Sequence, residues 1–127
     1  MKPADFYEAG LEGVIDGSVN FVLGDMRLVL LQKGYEFSAE RHRVFADLAP
    51  FVNGVSDPLI GKRAQGRVAF ADPCYVLAQR EVISDAVAVY QHGGEMRLLF
   101  WSEARSSKPV MGQRVDIPWP DGLVFTL

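Results

Sequence analysis

After Gly66 the chain runs on as short β-prone segments separated by turn signals, and this pattern limits the architectures open to it. Arg67-Val68-Ala69-Phe70-Ala71 alternates, and Asp72-Pro73 breaks the run because proline brings no N–H to a ladder. Tyr75-Val76-Leu77-Ala78 reads as extended again. Ala86-Val87-Ala88-Val89-Tyr90 is a run of residues that fit a pleated surface. Gly93-Gly94 predicts a hairpin turn, since glycine accepts the positive φ that tight turns need, with residues 96–101 as the return strand. Polar residues 102–109 predict a loop. At the end, Val115, Ile117 and Trp119 alternate with Arg114, Asp116 and Pro118, and Leu123 and Phe125 alternate with Val124 and Thr126. Pro120-Asp121-Gly122 between them predicts a closing hairpin.

The first half is less regular. Residues 1–12 carry a weak apolar face through Phe6, Ala9 and Leu11 and read as an N-terminal arm with a helical turn or two. Gly13, Gly17 and Gly24 argue against a longer helix. Residues 18–23 read as a short extended segment before a Gly24-Asp25 turn. Residues 26–32 are nearly all apolar, which predicts a strand buried on both faces. Ser38 can cap a short helix over residues 39–48, with Val44, Phe45 and Leu48 on one side and Pro50 ending it. Residues 49–66, rich in Pro, Gly, Asn, Asp and Ser, read as a long loop with a short strand at Phe51-Val52.

Six to eight short strands, one short helix and 127 residues predict a single mostly-β domain over residues 1–127, an antiparallel β-sandwich or small barrel. A hydrophobic fraction of 49% supports a folded core. The net charge of −3 is the wrong sign for a nucleic-acid surface. Lys33 and Lys62-Arg63 read as isolated solvated spots. No apolar run approaches the length needed to span a bilayer, and the start has no apolar leader, so the expectation is cytoplasmic synthesis without a membrane partner.

Residues that carry chemistry are scattered. The single cysteine, Cys74, excludes an internal disulfide and reads as a small buried hydrophobe. His42 and His92 have no second His or Cys at ligand spacing and read as surface residues. No serine stands in a nucleophile-elbow sequence, and no glycine-rich stretch leads into Lys-Ser or Lys-Thr. Glu81 and Asp85 read as strand-edge charges that discourage pairing between sheets. The expectation is a protein without enzymatic activity, metal or cofactor. Trp101 and Trp119 read as core or interface residues ahead of a sugar-stacking platform.

The order of segments resembles a family of small structural proteins of tailed-phage particles. Met26-Arg27-Leu28-Val29-Leu30-Leu31 is similar to the family's early strand. Tyr35 follows, then Glu40-Arg41-His42-Arg43-Val44-Phe45-Ala46-Asp47-Leu48 as its short helical stretch. Asn53-Gly54-Val55 departs from the family's turn at that place. Phe70-Ala71-Asp72-Pro73, residues 85–90 and Leu98-Leu99-Phe100-Trp101 resemble the later part. Ile117-Pro118-Trp119-Pro120-Asp121-Gly122-Leu123-Val124-Phe125 resembles its closing pattern. The resemblance covers the chain from about residue 11 and implies a virion component. Its partners would be other virion proteins (major capsid or tail subunits) and further copies of itself. Capsid decoration is the favoured role, with a receptor- or carbohydrate-binding module at a tail tip or fibre as the alternative.

Docking of this kind works by burying apolar surface, so the candidate contact residues are Phe6, Tyr7, Phe51, Trp101 and Trp119. On this reading, removal of residues 1–12 weakens particle binding and leaves the fold intact.

Overall fold

The computed structural model describes residues 5–32, 34–77, 85–103, 114–117 and 123–126. Among these residues ten strands run in chain order: β1 (Asp5–Phe6), β2 (Met26–Leu31), β3 (Val52–Val55), β4 (Arg63–Gln65), β5 (Val68–Phe70), β6 (Cys74–Leu77), β7 (Asp85–His92), β8 (Glu95–Glu103), β9 (Arg114–Ile117) and β10 (Leu123–Thr126). One α-helix, α1 (Glu8–Asp16), follows β1, and a 3₁₀ helix spans Phe45–Phe51. Five strands form an antiparallel sheet in the order β1-β8-β7-β2-β3. Three more form a small sheet, β10-β5-β4, and β6 pairs with β9. The chain is thus mostly β and antiparallel as expected, but the sheets do not close into a barrel. No helix among the described residues is long and apolar enough to cross a membrane.

The central strands β2 and β7 are buried on both faces, as the nearly all-apolar run of residues 26–32 predicts for β2. On one face, Met26, Ala88, Tyr90 and Phe100 meet Ala69, Ala71 and Val124, with Val14 of α1 at the margin. On the other, Val29, Leu31, Val87, Val89 and Leu98 meet Tyr7, Tyr35 and Leu48. The segment over residues 34–51 therefore forms the second cover. Alternation along each strand sends successive side chains to opposite cores. An irregularity at Ala88/Val89 leaves Leu99 as an extra residue in β8, between Leu98 and Phe100.

Several expectations are corrected. The helix over residues 39–48 does not form. Ser38 does accept the Arg41 N–H through its hydroxyl, but only a turn results. The Arg43 carbonyl is taken by the Leu98 N–H, and Val44 bridges Arg97. The edge of β8 offers Arg43 and Val44 ladder partners, and the chain takes them in place of helical ones. The 3₁₀ helix starts only afterwards and contains Pro50 instead of stopping before it.

The N-terminal arm is also corrected. Residues 5–6 pair with Phe100 and Trp101, and α1 continues through Gly10 and Gly13 to Gly17, which ends it at φ 84°. Both internal glycines are needed for close approach: a Cβ at Gly10 would overlap the Leu99 carbonyl, and one at Gly13 would sit 2.5 Å from the Tyr90 hydroxyl. Removal of residues 1–12 would therefore take structure out of the fold. Residues 18–23 are not extended, because Asn20 folds them into a turn by accepting the Leu23 N–H on Oδ1 and the Gly24 N–H on its carbonyl.

The long loop over residues 49–66 holds the end of the 3₁₀ helix, β3 and β4. Ser56 extends the β2–β3 ladder by one step: its hydroxyl accepts the Leu28 N–H, and its own N–H donates to the Leu28 carbonyl. The closing hairpin is corrected as well. β9 and β10 form as strands where expected, but β9 pairs with β6 and β10 with β5. The turn at Pro120-Asp121-Gly122 lies outside the described residues. Asp85 is not an edge charge, since it is buried at the start of β7 in the sheet interior; Glu81 lies outside the described residues.

Candidate functional site

The segment over residues 34–51, held against β8, brings two features together. The first is a buried hydroxyl pair. Tyr7, the residue before α1, and Tyr35 place their hydroxyls 2.7 Å apart. The Tyr35 hydroxyl also lies 2.8 Å from Nδ1 of His42. Burial, reinforced by the Tyr35 hydroxyl, pushes the Tyr7 phenol far above its ordinary range, and burial raises Tyr35 too. Both phenols therefore remain protonated donors. His42, expected on a solvated face, is half-buried and turned toward Tyr35.

Around this pair stands an aromatic cluster. Phe37 meets Tyr7 edge-on at 4.9 Å and stacks on Trp101 at 5.1 Å, while Phe51 meets Tyr35 edge-on at 5.6 Å. One face of Trp101 is thus occupied, and its indole nitrogen is buried. Tyr7 is wholly buried, and Phe6, Phe51 and Trp101 are half-buried. The structure gathers Tyr7, Phe51 and Trp101 into one internal cluster, with Phe6 on the opposite core against Phe100. Trp119 lies outside the described residues.

The second feature is a charged surface cleft of about 490 Å³ lined by Ala9, Glu12, Arg41, Arg43, Val44, Asp47, Glu95 and Arg97. Glu12 and Arg43 pair at 2.5 Å, which raises the Arg43 guanidinium. Asp47 accepts the backbone N–H groups of Arg43 (2.8 Å) and Val44 (3.1 Å), and these bonds hold its carboxyl below the usual range. Three arginines face three carboxylates, so the cleft is close to neutral and its charges are largely spent on one another. Among the described residues no group of three or more His, Cys, Asp or Glu side chains could hold a metal ion.

Sequence reasoning missed a third feature, which is the large aliphatic side chains left in water. Ile15 is 85% exposed, Leu23 83% and Ile60 67%, with Leu11 and Val22 less so. Leu11 and Ile15 form an i, i+4 pair on α1, on the side away from Ala9, Gly10 and Gly13. The turn holding Val22 and Leu23 lies beside the loop holding Ile60. The Leu59 N–H donates to the Met26 carbonyl at 2.7 Å, the Lys62 amine donates to the Gly24 carbonyl, and Lys62 lies over the Phe21 ring at 5.9 Å. Lys62 was expected to be a plain solvated charge; burial instead lowers its affinity for the proton. The helical spacing of Leu11 and Ile15 was visible in the sequence, but which side α1 would bury was not. No protein-family model, curated protein or solved structure matches the chain.

Proposed function

We propose that the chain is a non-enzymatic building block of a tailed-phage particle that docks on capsid subunits as a decoration protein. The observation that carries this reading is the exposure of Ile15, Leu23 and Ile60 on a domain whose central sheet is already covered on both faces. Where large aliphatic groups gather into a contiguous exposed patch, they mark a surface that another protein covers. Each contributes about 1.5–3 kcal/mol when fully buried. Repetition over a symmetric lattice multiplies such modest contacts into firm attachment. The sequence resemblance described above supports the particle setting. Trp101, with one face against Phe37, is poorly disposed to serve as a sugar platform, which weighs against the carbohydrate-binding alternative.

Immunogold electron microscopy tests the proposal. Antibody against the purified chain is applied to phage particles released from its host. Gold on the heads is expected. Gold on the tails would move the docking site to tail subunits, and unlabelled particles would overturn the reading.

A further inference from the structure

Residues 34–42 run as a strap between the end of β2 and the ladder that Arg43 and Val44 make with β8. Gly34 opens the strap with a φ of 110°, a backbone angle that glycine adopts without strain. Tyr35 lies against Tyr7 and Phe51, and Phe37 against Tyr7 and Trp101. Among the described residues one backbone hydrogen bond ties the strap to the rest of the fold, from the Glu8 N–H to the Ala39 carbonyl. The bonds from the His42 N–H to the Ser38 carbonyl and from the Arg41 N–H to the Ser38 hydroxyl stay within it. Side chains therefore do most of the holding.

The chain of hydroxyls at its centre has one direction. Tyr7 is wholly buried, and its hydroxyl meets only that of Tyr35 among the described residues. A buried phenol proton without an acceptor is costly, so Tyr7 donates to Tyr35. Tyr35 then gives its own proton to Nδ1 of His42, 2.8 Å away. That nitrogen is bare, so His42 is neutral and carries its proton on Nε2. A second proton, on Nδ1, turns the acceptor into a donor and leaves one of the two phenol protons with nothing to accept it. Neighbouring charges do not replace the lost acceptor. Asp47 attracts a charged His42, but its Oδ2 already holds the Arg43 and Val44 N–H groups. Arg41 and Arg43 flank the ring in sequence, and Glu12 of α1 is paired with Arg43. Glu36 and Glu40 of the strap are exposed, and Asp85 of β7 favours the protonated form of both phenols.

We infer that His42 is an acid-sensitive latch, whose protonation releases residues 34–42 and uncovers the aromatic face of Tyr7 and Trp101. The strap is closed while Nδ1 accepts, and this hold is lost as the pH falls. The half-buried ring, between exposed Arg41 and Arg43, turns out into water when it gains charge. Tyr35 follows, with Gly34 as the hinge. Opening stops at Arg43, whose carbonyl is held by the Leu98 N–H, and the 3₁₀ helix stays anchored by buried Leu48. The change is therefore local, and it is separate from the docking proposed above.

The test is hydrogen exchange of the intact chain at about pH 8 and about pH 5, the range over which histidine gains its charge, read by mass spectrometry and corrected for the intrinsic effect of pH. Residues 34–42 are expected to lose protection by about tenfold or more at the lower pH, while β2 and β7 keep theirs. In His42→Asn the side-chain carbonyl takes the place of Nδ1 as acceptor and gains no proton, so the strap should stay protected at both values. His92→Asn, at the exposed hairpin, should behave as the parent. Nitrogen-15 spectra of the parent's histidine rings at the higher pH should show a neutral His42 with its proton on Nε2. A proton on Nδ1 there, a strap equally protected at both values, or a His42→Asn strap that opens as the parent's does would overturn the inference. So would β2 and β7 loosening together with the strap.

Discussion

Gly10 of α1 lies against the backbone of Leu99 in β8, so closely that a methyl group on Gly10 would overlap the Leu99 carbonyl. The irregularity in β8 between the pairs Ala88↔Phe100 and Val89↔Leu98 sets Leu99 there as an extra residue, and its carbonyl accepts the Tyr7 N–H at 3.1 Å. Helix and sheet thus meet backbone to backbone.

Gly10→Ala should therefore destabilise the protein by about 1–3 kcal/mol, because overlap with an immobile carbonyl outweighs the roughly 1 kcal/mol that alanine gains within a helix. Gly94→Ala, with no atom near its added methyl, should stay within about 0.5 kcal/mol of the parent. Urea denaturation midpoints of the two variants measure the contrast.

The tyrosine pair should behave as a unit. Tyr35→Phe leaves the wholly buried Tyr7 hydroxyl without its partner and should cost about 1–3 kcal/mol. Tyr7→Phe should cost less, about 0.5–1.5 kcal/mol, since Tyr35 keeps His42. The double variant should lose less than the sum of the two. A double-mutant cycle in urea provides the comparison, and strict additivity would show that the pair contributes nothing as a pair.

Two groups bend the pH profile in opposite directions. Below the ordinary phenol value, about 10, Tyr7 is protonated whether the chain is folded or not, and stability does not depend on it. Above that value the unfolded chain releases the proton while burial retains it in the fold, so stability falls as pH rises. Asp47 acts at the acid end. Its carboxyl is held ionised by the Arg43 and Val44 N–H groups, so its contribution is present above the ordinary carboxylate value and is lost as pH falls through its lower folded value. Tyr7→Phe should flatten the alkaline limb and Asp47→Asn the acid limb in thermal melts across pH.

Cys74 should react slowly with thiol reagents. Burial pushes its thiol up to about 11, so at pH 8 about one thiol in a thousand is ionised. A disulfide-exchange dye should label the native protein many times more slowly than the urea-unfolded chain. Equal rates would mean that the thiol is open to solvent.

The same contacts explain where the sequence was legible. Residues 26–31 are apolar but for Arg27, and that composition favours burial on both faces. Gly93, with φ 61°, turns β7 into β8 as the paired glycines predict. Ser38 is a good helix start, yet the partners offered by β8 at Leu98 and Arg97 lie more than fifty residues away in sequence, and no local window contains them. Gly13 reads as a helix breaker because propensity counts the missing side chain and not the Tyr90 and Val19 side chains that need its space. Of the candidate contact residues, Tyr7 is aromatic and near the start, and nothing local reveals that Tyr35 and Phe37 will enclose it.

By itself the sequence determined the buried strand at residues 26–31, the turn at Gly93-Gly94 and the need for a sheet covered on both sides, because these follow from side-chain composition and backbone restrictions within a few residues. Tertiary structure decided which strand each segment joined, since β9 and β10 alternate alike but take β6 and β5 as partners. It also decided which aliphatic side chains stayed in water. Pairing and exposure depend on distant segments competing for the same ladder edges and the same apolar faces, and that competition is settled only when the whole chain has packed.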